Sequence, residues 1–131
     1  MHKSTQYGTV IVLAHALVAT AHGLAHEYLV INLTFTQKLY VLVVIALAPL
    51  VSMILLWTRL RKVGAMLLLL SMLGSLIFGV VNHFLIVSAD HVQHLPPGEW
   101  RLAFQITAIG LMVTEVLGCF AGAWALRASS S

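Results

Sequence analysis

From Tyr7 onward the chain is a succession of long apolar runs separated by short polar breaks. Four runs reach the roughly 20 residues that one bilayer crossing requires. They predict helices over about 7–33, 39–59, 63–94 and 100–126. The second run carries no acidic, basic or histidine residue from Leu39 to Trp57. Pro49 within it predicts a kink, because proline removes one backbone donor. The third is drawn on as far as His94, since Pro96–Pro97 is the first clear stop. All connections are short. The expected fold class is therefore all-α, an integral membrane four-helix bundle forming one domain over residues 1–131.

Composition strengthens this reading. Of 131 residues, 60% are hydrophobic and 8% charged, against about 25% charged in soluble domains. So few charges cannot cover a globular surface, and the lipid bilayer is the expected partner. The net charge is +3, but the basic residues form no face, so nucleic acid is not expected. Lys3, Arg59, Arg61, Lys62 and Arg127 fall on one side of the membrane, Lys38 and Arg101 on the other. The first side should be cytoplasmic, with both termini inside. Trp57, Trp100 and Trp124 lie near helix ends, as an interfacial aromatic belt requires. The first apolar run is too long for a secretory signal and lacks a small-residue cleavage site. Cys119 is the only cysteine, which excludes an internal disulfide and thiolate-based zinc or iron–sulfur sites.

The first apolar run holds an unusual interruption, "HALVATAHGLAHE". At 100° per residue, His15, His22 and His26 fall within an arc of about 40°, one polar stripe on a greasy helix. The third run carries a related pattern, "HFLIVSADHVQH". At an offset of 68 residues His15 matches His83, His22 matches Asp90 and His26 matches His94. The pattern reads either as a tandem duplication of a two-helix unit or as two stripes that arose separately. Glu115 lies near the middle of the fourth helix. A charge at such depth costs at least about 2.5–3.5 kcal/mol on insertion scales, so these groups are expected to face the interior and have partners. His91 sits about 80° off its stripe and reads as a solvated loop residue. His2 reads as an incidental terminal residue.

A single buried histidine is most simply a hydrogen bond between helices. Seven or eight ionisable groups are not. Imidazole is the commonest metal ligand, and i,i+4 spacing lets His22 and His26 share an ion. The expected centre is His22, His26, His83 and Glu115, with His15, Asp90 and His94 forming an outer shell or second site. Two depths compete. The repeat would set His15 against His83 and His22–His26 against Asp90–His94. Hydrophobic centring would gather His22, His26, His83 and Glu115 near the midplane and leave Asp90 and His94 at an external entrance. Centring is favoured.

Imidazole with carboxylate suits a transition-metal ion, iron, copper or zinc. Haem b between facing histidines is the alternative cofactor. The functional expectation is a metal-binding membrane protein with a redox role, as oxidoreductase or electron-transfer subunit. A haem-binding subunit of a larger complex, and a metal-ion or proton transporter, are the alternatives. No Ser–His–Asp logic, phosphate loop or dinucleotide fingerprint secures catalysis. Gly74, Gly110, Gly118 and Gly122 offer faces for a homo-oligomer or for docking into a larger membrane complex.

Overall fold

The computed structural model describes residues 3–129, all of the regular structure helical. Four helices are long and apolar enough to cross a membrane: α1 Lys3–Tyr28, α2 Phe35–Leu56, α3 Arg61–Leu85 and α4 Trp100–Ala128. They form an antiparallel bundle. At one end Tyr7 of α1 meets Trp124 of α4, ring centroids 5.5 Å apart, and Trp57 Nε1 donates to Thr9 Oγ1 at 2.9 Å. At the other end Tyr28 stacks on Trp100 at 4.2 Å. Helix α1 packs chiefly on α4, α4 on α3 and α3 on α2, while α1 meets α2 mainly over Ala48–Leu56. The upper part of α2 stands off from α1.

Local chemistry explains the boundaries. Helix α1 ends five residues before its expected limit. Val30 N–H donates to Glu27 O at 3.1 Å and Ile31 N–H to His26 O at 3.0 Å, the paired bonds of a Schellman stop. The reversal puts Val30 at φ 55, a left-handed conformation that a β-branched residue adopts only under strain. Thr34 then caps α2 reciprocally with Gln37, whose N–H donates to Thr34 Oγ1 at 3.2 Å. Pro49 is accommodated by a π-helical stretch, Val41–Leu47, just before it. The carbonyl of Ile45 would have bonded the missing Pro49 N–H, and it is free for another donor.

Helix α3 does not run to His94. Its last turn, Val81–Leu85, is π-helical, and Ile86 is extended. The following loop folds back onto the helix end. Val92 N–H donates to His83 O at 3.0 Å, and His91 Nε2 to Phe84 O at 3.1 Å. His91 is therefore not a solvated loop residue. It is 7% exposed and satisfies carbonyls that a helix end leaves open. His2 lies outside the described residues.

Two apolar clusters bracket a polar layer. Val12, Leu56, Leu68 and Met72 centre one, and Ala25, Leu29, Leu95 and Phe104 the other. The glycines allow close approaches inside the bundle. A Cβ at Gly118 would lie 2.5 Å from Met72 Cγ, and one at Gly122 2.7 Å from Leu69 N. Gly74 and Gly110 likewise face Tyr40 and Val18.

Candidate metal centre

Helices α1 and α3 lie diagonally across the bundle, so the stripe on α1 points at α3 through its centre. His22, His26 and His83 come together there, each offering a nitrogen within 4.8 Å of the others. They can hold a metal ion. The re-entrant loop adds Asp90, whose Oδ1 lies 3.2 Å from His26 Nε2 and 3.3 Å from His83 Nδ1. Neither approach is aligned as a hydrogen bond. Both carboxylate oxygens of Asp90 and the Nδ1 of His26 are buried without a hydrogen-bond partner. Phe104 of α4 closes one side, its ring centroid 4.4 Å from that of His22 and 4.9 Å from that of His26.

The protons on these rings can be assigned from their partners. His83 Nδ1 lies 3.0 Å from the carbonyl of Asp90. A carbonyl only accepts, so Nδ1 carries the hydrogen and Nε2 is bare. His22 Nδ1 lies 2.8 Å from Thr107 Oγ1. The single proton of that hydroxyl is directed to the carbonyls of its own helix, at 2.7 Å from Ala103 O and 3.1 Å from Phe104 O. With the proton so directed, its lone pair accepts from His22 Nδ1–H and His22 Nε2 is bare as well; with the proton turned to His22 Nδ1, His22 Nε2–H donates to His83 Nε2. In the first arrangement the two bare nitrogens face each other at 3.2 Å. Lone pair against lone pair is repulsive unless a cation lies between. Two nitrogens bound about 2.0–2.1 Å from one tetrahedral ion would be about 3.3 Å apart.

His15 provides an internal contrast. It is 1% exposed, two helical turns below His22 on the same face. Its Nδ1 also meets a threonine of α4, Thr114 at 3.3 Å. But its Nε2 donates to Ile45 O at 3.2 Å, the carbonyl that Pro49 left open. In the neutral ring Nδ1 then accepts from the Thr114 hydroxyl, which also lies 3.0 Å from Gly110 O and from Leu111 O, so both nitrogens are occupied by protein and His15 is not brought to the cluster. His94 is exposed on the loop, with Nδ1 3.1 Å from His91 Nδ1, and is not brought there either. Glu115 is 2% exposed and lines the same cavity of ≈390 Å³ as His22, His26, His83 and Asp90. It stands beside the cluster rather than in it. A Cβ at Gly79 would lie 3.8 Å from Glu115 Oε2 and 3.9 Å from His83 Cδ2.

The arrangement combines parts of both depth schemes. His22 and His26 meet His83, as centring requires, while Asp90 returns to them, as the repeat requires. It can do so because α3 stops at Leu85.

Sequence reasoning missed Thr107 and Thr114. A signal was present. The two threonines are seven residues apart, as are His15 and His22, and the pairs 15/114 and 22/107 both sum to 129. Two antiparallel helices in register give such a constant sum. Among known proteins, no family model, curated sequence or solved structure matches this chain.

Proposed function

We propose that this chain is a membrane-embedded metal protein that binds a divalent transition-metal ion through His22, His26 and His83. The Asp90 carboxylate, 3.2 Å from His26 Nε2 and 3.3 Å from His83 Nδ1, is placed to become the carboxylate partner that ligating imidazoles usually have. The observation that carries the reading is the convergence of three imidazoles, with His22 Nε2 and His83 Nε2 3.2 Å apart, a spacing that two ligands of one tetrahedral ion would have. A shared proton would also relieve that pair. The third imidazole, with its unpartnered Nδ1, favours a metal ion instead.

Imidazole and carboxylate without thiolate suit iron, copper or zinc. Iron or copper would make the bundle a membrane oxidoreductase or the electron-transfer subunit of a larger complex. Three imidazoles within 4.8 Å leave no slot for a macrocycle, which favours a bare ion over haem b. Ion transport is disfavoured below the cluster, where His15 is tied to Ile45 and Thr114 and the Val12–Leu56–Leu68 cluster follows. We further propose that both termini are cytoplasmic, from the basic residues beside them.

Elemental analysis with an absorption spectrum of the detergent-purified protein tests the reading. One stoichiometric metal ion without a Soret band is expected, lost in His22→Ala and His83→Ala. A protein expressed in metal-replete medium that holds neither metal nor haem would overturn it.

A further inference from the structure

The cavity beside the cluster has a second polar end and a way in. Glu115 is buried in the middle of α4, yet it makes no hydrogen bond or ion pair among the described residues, and its side chain lines the cavity. The cavity walls include the apolar Val41, Ile45, Phe78 and Leu111, with Ser75 among them. The opening follows from the packing. Helix α1 touches α2 mainly over Ala48–Leu56, so the two separate above that contact. A second cavity of ≈230 Å³ shares Ala19, Val41 and Ile45 with the first and continues down the same seam. Gly23 stands at the seam on α1, where an added Cβ would meet nothing within 4 Å. At the upper rim are the exposed Glu27 and Lys38, residues suited to the polar surface of a bilayer.

We propose that this cavity takes a membrane-dissolved amphiphile carrying a hydroxyl group, which enters between α1 and α2 past Gly23 and hydrogen-bonds through its hydroxyl to Glu115. A hydroxyl fits a buried carboxyl group in either protonation state, donating to a carboxylate and accepting from a carboxylic acid. The volume lies in the range of roughly 300–1,000 Å³ typical of small-molecule sites. The lateral entrance restricts the ligand to molecules already in the lipid. The proposal stands on Glu115 and the seam and does not require the metal ion.

The test uses the full chain in lipid nanodiscs and two diazirine photoprobes, a long-chain primary alcohol and the alkane that lacks its hydroxyl. The alcohol should label the cavity stretches around Ala19, Val41 and Phe78 about fivefold more than the alkane, the value of one hydrogen bond. Glu115→Leu should abolish that preference, and Glu115→Gln should keep it, since a carboxamide also donates and accepts. Gly23→Phe should lower cavity labelling by both probes while the melting temperature holds. Equal labelling by alcohol and alkane would mean that an ordinary acyl chain fills the seam, and would overturn the proposal. So would labelling confined to outward residues such as Leu17, or a preference that survives Glu115→Leu. Metal content measured on the same samples separates the two readings, because a metal-free protein that keeps the preference refutes only the metal centre.

Discussion

Thr107→Val removes one oxygen and leaves the branched shape at Cβ. The hydroxyl touches only its own helix carbonyls and His22 Nδ1, at 2.8 Å. If the structural bond were all it supplied, the loss would be small, about 0.6 kcal/mol on average for such bonds in membranes. If the hydroxyl holds His22 in the tautomer that bares Nε2, the loss falls on metal affinity, about 10–100-fold for such an outer partner. The two accounts separate cleanly in the apo and metal-loaded proteins. At free metal 1,000 times Kd the ion stabilises the fold by about 4.1 kcal/mol, and a 100-fold weaker site leaves about 1.4. The metal-dependent part of stability should therefore drop by up to about 2.7 kcal/mol, with the apo protein changed far less. Competitive titration against a chelator gives the affinity, and unfolding in detergent with and without metal gives the stabilities. Thr107→Ser should restore both. Unchanged affinity in Thr107→Val, or an equal loss in apo and loaded protein, would refute the tautomer argument.

His91→Ala should destabilise the fold by about 1 kcal/mol, because it strands the part-buried carbonyl of Phe84, and should speed amide exchange across residues 86–95; an unchanged melt would return His91 to the role of a solvated residue. Gly122→Ala places a methyl 2.7 Å from Leu69 N and should cost about 1–3 kcal/mol through overpacking, read as a lower unfolding midpoint in detergent; no shift would mean that α3 and α4 do not pack this closely. Val30→Gly should raise the midpoint by about 1 kcal/mol, relieving the left-handed strain at φ 55, unless the reversal after α1 is built differently. Single cysteines at Ser4, Lys62 and Gly98 in a Cys119→Ser background should label from outside only at Gly98, and outside labelling at Lys62 would reject the proposed orientation.

Much of this protein is written in one dimension. Four apolar runs longer than a bilayer is thick have one way to satisfy their backbones, and that is as helices. The spacing of His15, His22 and His26 puts them on one face whatever the helix packs against. What periodicity does not contain is where a helix stops for want of a proline or glycine. Helix α3 ends at Leu85 because its last carbonyls find donors in His91 and Val92, contacts that exist only once the loop has folded back. That reversal brings Asp90 to His26 and His83. The stripe itself is also divided only in three dimensions. His15 and His22 look alike in sequence, each opposite a threonine of α4, yet one meets a carbonyl freed by Pro49 and the other meets His83. A histidine is spent or available according to what faces its second nitrogen, and that depends on the neighbouring helix. The sequence alone determined the bundle and the polar face; tertiary packing decided which of its histidines remain free to bind.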